Sequence, residues 1–274
     1  FYKGGRLINP QPVRWPVYVV RRRDGSWTPA QRFEWNDPRG SYIYSCNCAQ
    51  RLTLENGDVL IPLSFGAKGD ARSATTVRCA FDGEGLRVKE TGNELKMSKG
   101  RGFLEPSLAR FDGVFFMTLR AEDNHGYITT STDGLNWKTP VAWQWDDGEP
   151  LAMSTTQQRW LPHSEGLLLA YTRKDGSNTG VMRWRSPLFA AEVDRATLKL
   201  KRKTERVIFQ LVGDGVNDGK HVPHYGNFHT TAALPGESWV TSGEVIVANF
   251  RGDTLLARVK WSRPNELARL DTPK

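Results

Sequence analysis

Long apolar runs are missing from this sequence. Of its 274 residues 38% are hydrophobic and 25% charged, and no stretch approaches the ~18 consecutive apolar residues of a membrane-crossing helix. A sustained 3.6-residue apolar stripe is missing too. Only Pro264 to Arg269 reads as a helical turn, so a helical core is not expected. Cysteine is scarce, with Cys46, Cys48 and Cys79 alone. Two residues apart on a strand, Cys46 and Cys48 share a face where geometry works against a bridge, and no zinc-ligand spacing surrounds them. Buried free thiols are the expectation. No charged-then-apolar leader precedes the chain, which begins at Phe1, so upstream sequence is expected to be missing and the protein to be secreted or periplasmic.

Aromatic residues are plentiful: ten Trp, twelve Phe and seven Tyr on short β-branched runs favour sheet. The net charge of +8 suits an anionic partner, either an acidic glycan or a nucleic acid. The length allows one domain over 1–274 with a sizeable core.

A repeat organises the chain. The segment Val19 to Pro29, with its Asp24-Gly25 turn, resembles Ile128 to Pro140, with Asp133-Gly134, and weaker copies turn at Asp82 and Asp194. The four turns recur about every 57 residues. Between them lies a second pattern of strand, polar turn and apolar strand. Its copies are Gln50–Leu54 with Val59–Phe65, Pro106–Arg110 with Val114–Arg120, Gln158–Pro162 with Leu167–Arg173, and His229–Leu234 with Ser238–Glu244. Each unit thus offers four antiparallel strands. Recurring four-stranded sheets that must cover one another's faces predict an all-β propeller of four-stranded antiparallel blades, five of them visible and a sixth needing upstream sequence. A β-sandwich is the alternative.

The run Ser131-Thr132-Asp133-Gly134-Leu135-Asn136-Trp137 resembles the Asp box of the sialidase (neuraminidase) superfamily, the BNR-repeat propellers. It departs from Ser-x-Asp-x-Gly-x-Thr-Trp: Gly134 directly follows Asp133, Trp137 arrives one residue early, and Asn136 replaces Thr. The family's Arg-Ile-Pro motif is not found. The resemblance implies a propeller glycosidase in which these boxes are structural and lie away from the active site. It further implies arginines that hold a sugar carboxylate and a tyrosine nucleophile with a carboxylate base.

Propeller geometry itself locates a site. Loops before each innermost strand and after each second strand share one rim, and they carry four of the five histidines and many paired charges. Arg120 and Arg173 end the second strands of adjacent units, where two guanidinium forks suit a carboxylate or sulfate, with Arg101 or Arg251 as a third. His125 and Gln157 are further substrate-binding candidates. For acid and base work the candidates are Glu105, aimed by Pro106, and Asp123 after Arg120. Tyr225 is the candidate aryl-oxide nucleophile, as the resemblance implies, with Glu244 as its base. His221, His224 and His229 match no strong metal-ligand spacing, so no metal and no cofactor are expected.

The resulting expectation is a glycoside hydrolase, exo-acting and sialidase-like, on an anionic sialic acid- or uronate-type glycan. A polysaccharide lyase with His229 or His125 as base and Tyr225 as acid needs overlapping residues. A non-catalytic glycan-binding propeller would use the same rim, with Trp143, Trp145 and Trp160 stacking on sugars. The basic stretch Lys199 to Arg206 is the sole support for a nucleic acid, which is the least favoured partner.

Overall fold

In the computed structural model the described residues are 14–45, 50–153 and 156–268, together with the backbone of two short strands at 2–3 and 6–7. Cys46 and Cys48 lie outside the described residues. Among the described residues there is no α-helix, only short 3-10 turns, and no helix is long and apolar enough to cross a membrane. The turn read at Pro264 to Arg269 is such a segment, Glu266–Ala268.

The strands form antiparallel sheets in chain order. Two hairpins come first, β1 (Tyr2–Lys3) with β2 (Arg6–Leu7), and β3 (Val17–Tyr18) with β4 (Gln31–Arg32). The first large sheet holds β5 (Tyr42–Ser45) and β6 (Leu52–Thr53), both paired with β7 (Val59–Gly66), then β8 (Ser73–Phe81) and β9 (Leu86–Thr91). The second sheet is β10 (Leu104–Phe111), β11 (Val114–Arg120), β12 (Gly126–Ser131) and β13 (Val141–Ala142). A third has β14 (Arg159–His163), β15 (Gly166–Tyr171) and β16 (Leu188–Asp194), edged by β17 (Lys199–Leu200) and β18 (Arg206–Phe209). The fourth is three-stranded: β19 (Pro223–Leu234), β20 (Glu237–Ile246) and β21 (Thr254–Lys260). Each strand pair read from the sequence is therefore present.

Side-chain alternation explains the stacking, because successive residues on a strand point to opposite faces. On β11, Phe115, Met117 and Leu119 join the core shared with the first large sheet, while Phe116 joins the core shared with the third. On β15, Leu167, Leu169 and Tyr171 face the second sheet and Ala170 faces the fourth. Second strands buried on both faces read as nearly continuous apolar runs, as in Val114–Leu119, broken only by Thr118, and Leu167–Tyr171. Each sheet thus packs face to face on the next. The pattern stops at β20, where Val240 is buried but Trp239 is 39% exposed, so the last sheet has one open face.

The first strands converge on one side chain. The Gln50 amide nitrogen donates to the Trp160 carbonyl (2.9 Å) and Thr230 Oγ1 (3.2 Å), and its oxygen accepts from Trp160 N (2.7 Å) and Ser107 Oγ (2.9 Å). A single amide therefore joins β10, β14 and β19 to the segment leading into β6.

Three of the four Asp turns share a geometry. One carboxylate oxygen caps amides two and three residues on: Asp82 accepts from Glu84 N and Gly85 N, Asp133 from Leu135 N and Asn136 N, Asp194 from Ala196 N and Thr197 N. Asp24 accepts from Ser26 N. Gly134 takes φ +75°, and Trp137 is buried between the first two large sheets, its indole donating to Thr76 Oγ1 at 2.9 Å. Cys79 is a buried free thiol, pushed up to about 12 by desolvation.

Candidate functional site

The rim where first strands begin and second strands end carries the unsatisfied charge. Leu104 pairs with Arg120, which sets Glu105 at the mouth of β10 beside the last residue of β11. Arg120 Nη1 donates to Glu105 Oε1 at 2.8 Å, and the Arg120 side chain is only 8% exposed. Glu105 Oε2 is buried without a hydrogen-bond partner, and Glu105 takes φ +45°. Held in the left-handed region, a bulky non-glycine residue is strained, which is characteristic of side chains aimed for a purpose.

Arg185 joins this pair. Its guanidinium lies against Gly226, where an added Cβ would sit 2.8 Å from Nη1, so a larger residue there would push the Arg185 side chain from this position. Burial lowers the Arg185 pKa to about 10, the charges of Arg183 and Arg120 add to the lowering, and Glu105 opposes it. Arg185 Nε and the Nε2 of buried His224 have no hydrogen-bond partner. Desolvation and then Arg185 hold His224 below the usual imidazole range, against the opposing pull of the Gly219 carbonyl. On the other side stands Arg72, stacked 3.8 Å over the Tyr44 ring, its backbone N–H donating to the Arg101 carbonyl at 2.8 Å. Burial and the charges of Arg101, Arg14 and Arg120 depress the Arg72 pKa, opposed by Tyr44.

The other expected site residues are placed as follows. Arg101 is on the same rim but engaged by Glu122, with Nε to Oε1 at 2.8 Å. Asp123 accepts from the Tyr127 hydroxyl at 2.6 Å, and His125 turns back on it, Nδ1 lying 2.9 Å from the Asp123 carbonyl. Burial first, then the bond to Asp123, pushes the Tyr127 hydroxyl well above its usual range. Gln157 and His229 form a separate group around buried Arg159, whose Nη2 lies 3.3 Å from Gln157 Oε1 and 3.2 Å from His229 Nδ1. Desolvation and then Arg159 lower the His229 pKa.

Tyr225 is in the core against Phe209, its hydroxyl donating to the Gln210 carbonyl at 2.8 Å. Burial and then the Glu244 charge raise its pKa, and Glu244 itself accepts from Asp253 N at 3.1 Å. Arg173 is closed by Glu205, with Nε to Oε1 at 2.8 Å and Nη2 to Oε2 at 2.6 Å. Exposed His221 pairs with Asp218 at 2.7 Å. The structure brings Glu105 and Arg120 together; Arg173, Tyr225 and the Gln157–His229 group have other partners.

Arg72, Arg185 and Gln50 were missed by sequence reasoning. Arg72 lies seven residues past the second strand read at Val59–Phe65, and Arg185 lies twelve past that read at Leu167–Arg173, in a segment, 181–185, without a turn residue. A weak signal existed in Val181-Met182-Arg183-Trp184-Arg185, two cations flanking an aromatic just before a strand.

No family model and no curated protein matches the chain by sequence. Solved structures do. A Dyadobacter fermentans protein of unknown function is 14% identical with a TM-score of 0.58, covering 92% of this chain and 69% of its own. A Hadza microbial sialidase is 15% identical with a TM-score of 0.57 over 89% of this chain and 44% of its own. The xylan β-1,4-xylosidase of Bacillus halodurans is 13% identical with a TM-score of 0.52 over 84% of this chain and 42% of its own. This chain therefore spans under half the length of the sialidase and of the xylosidase. At these identities the likeness is one of architecture, and the architecture is sialidase-like.

Proposed function

We propose that the protein is a propeller glycoside hydrolase acting on an anionic glycan at the rim around Glu105. The observation that carries this reading is the buried Arg120–Glu105 pair, which leaves one carboxylate oxygen without a partner beside Arg185. Glycosidic cleavage needs one carboxyl group to protonate the leaving oxygen and a second group to attack or to activate water. In this reading Glu105, fixed by Arg120, is the attacking or water-activating group, and Asp123 supplies the proton. Arg185 and Arg72 hold the sugar's acidic group, since planar guanidiniums match a carboxylate fork. Tyr225 is a packing residue, because its hydroxyl is spent on the Gln210 carbonyl inside the core. Likeness to a sialidase and a xylosidase supports carbohydrate chemistry, and the excess of rim arginines supports an acidic sugar. Sheets stacked in order around Gln50 support the propeller, with the N-terminal hairpin as part of a fifth blade.

The test is incubation with sialosides and with uronate-containing oligosaccharides, following free acidic sugar and ultraviolet enone absorbance together. The expected result is free acidic sugar without enone, abolished by Glu105→Gln. Enone formation would identify a lyase, and binding without either product would identify a glycan-binding propeller.

A further inference from the structure

The rim holds more positive charge than one sugar can use. The Arg183 and Arg120 charges act on Arg185, and those of Arg101, Arg14 and Arg120 act on Arg72. Short contacts fix Arg120 and Arg72 on the rim, Arg120 to Glu105 at 2.8 Å, Arg72 N to the Arg101 carbonyl at 2.8 Å and Arg72 over Tyr44 at 3.8 Å, while Arg185 packs on Gly226 and its carbonyl accepts from Tyr225 N at 2.7 Å. Two carboxylates offset this charge, Glu105 on Arg120 and Glu122 on Arg101. Arg14, Arg72, Arg183 and Arg185 make no ion pair with a carboxylate among the described residues. One sugar carboxylate offers two oxygens and is saturated by two guanidinium forks.

The segment of Arg183 is built in an unusual way. Arg183 and Trp184 occupy consecutive left-handed backbone positions, φ +55° and +49°, which non-glycine residues rarely adopt. Arg183 is exposed and Trp184 half-buried, with Lys174 Nζ 5.7 Å from the Trp184 ring. A cation beside a partly exposed indole matches an acidic sugar, whose ring stacks on the aromatic face while its carboxylate meets the guanidinium.

Resting on the function proposed above, we infer that the substrate is a polyanionic glycan and that Arg183 and Trp184 form a subsite for a second acidic sugar beside the reacting one. Like charges in a row repel unless a ligand with repeated negative charge neutralises them, and a polymer of acidic sugars has that repeat.

The experiment measures binding by calorimetry to the Glu105→Gln protein, using oligosialate and oligogalacturonate, each as monomer and tetramer, at low and at physiological salt. A tetramer of one series binds about tenfold more tightly than its monomer and with steeper salt dependence. Arg183→Gln removes about that tenfold from the tetramer and leaves the monomer unchanged. Lys174→Gln, an exposed substitution that does not touch the strained backbone, gives a smaller loss in the same direction. Equal affinity for monomer and tetramer overturns the inference while leaving the proposed function standing. Failure of every acidic sugar to bind removes both. Tighter binding of a single-stranded oligonucleotide, with the same dependence on Arg183, assigns the track to nucleic acid and overturns the inference.

Discussion

Arg120 and Arg173 stand at matching places in the repeat, each following an apolar second strand. Their fates differ because of what surrounds them. Arg173 meets Glu205, which takes two of its donors at 2.8 and 2.6 Å and also accepts from the Tyr171 hydroxyl at 2.6 Å, while Phe189 lies 4.5 Å beneath the guanidinium. Arg120 donates to Oε1 of Glu105, a residue whose backbone is strained and whose other oxygen has no partner. A saturated guanidinium fork is a rivet; in the proposed reading, an incompletely used carboxylate beside several cations is the place for a ligand. Position along a strand does not distinguish the two, and the partner does.

The largest effect expected from this contrast is kinetic. Glu105→Gln lowers kcat/KM about 1000-fold, the range for removing a positioned acid or base, and Arg120→Met gives a comparable loss by releasing Glu105. Steady-state rates per folded molecule decide the matter. Equal losses for Arg173→Met and Arg120→Met would erase the contrast, since Arg173 would then be shown to share in turnover.

Next in size is a loss of stability at the other arginine. Arg173→Ala strands Glu205, whose side chain is 16% exposed, and costs about 3 kcal/mol in urea unfolding. Folded protein keeps its rate. Replacing both partners, Arg173→Met with Glu205→Gln, restores most of the stability because no unpaired charge remains. If the single substitution costs nothing, the Arg173–Glu205 pair is a surface ornament rather than a rivet.

Much of this architecture was legible in the sequence. Asn56-Gly57, Asp112-Gly113, Glu165-Gly166 and Pro235-Gly236 mark tight turns through local backbone chemistry, and the apolar runs after them are long enough to be second strands. Glu105 and Arg120 were legible for the same reason, since strand register carries them to one rim. Arg185 and Arg72 were not, because their placement depends on contacts between segments far apart in sequence: Arg185 against Gly226, Arg72 over Tyr44. The fate of Arg173 was hidden likewise, as Glu205 is 32 residues away on an edge segment that carries no signal of its destination. Local turn chemistry is written locally, whereas a charge's partner is set by how sheets stack.

The turns extend the contrast to the opposite end of the strands, where each carboxylate is satisfied. Asp133 accepts from Leu135 N, Asn136 N, Asn136 Nδ2 and Ser131 Oγ. Although partial burial pushes its pKa up, these bonds outweigh it and hold the carboxyl far below the usual range. Its folded-state pKa lies under the unfolded value of about 3.9, so its stabilisation is present above that pH and is lost as pH falls toward the folded value. Asp133→Ala costs about 1 to 2 kcal/mol at neutral pH by chemical denaturation, with no change in rate, and the cost shrinks at pH 3. A cost that stays constant with pH would mean that the turn bonds do not depend on the ionised carboxylate, and no cost at any pH would mean that the turn is held by Gly134 and Trp137 alone.

The smallest effect, and the one that separates site from scaffold most finely, belongs to His224. The residue is 3% exposed, Nε2 is unpaired, and desolvation, with the Arg185 charge, lowers its pKa from the usual imidazole range. A base whose folded-state pKa is depressed binds fewer protons folded than unfolded, so stability falls as pH drops below about 6.5. His224→Leu removes the unpaired nitrogen, leaves stability at neutral pH equal or raised by about 1 kcal/mol, and flattens the decline between pH 6.5 and 5. Rivets behave the other way, since truncating them lowers stability and spares the rate. A variant that is no less stable yet binds an acidic sugar more weakly would show that the protein keeps an unsatisfied group at the rim for the ligand, a trade of stability for function. Should His224→Leu instead unfold the protein while the sugar affinity of the folded fraction is unchanged, His224 belongs with Arg173 and not with Arg120.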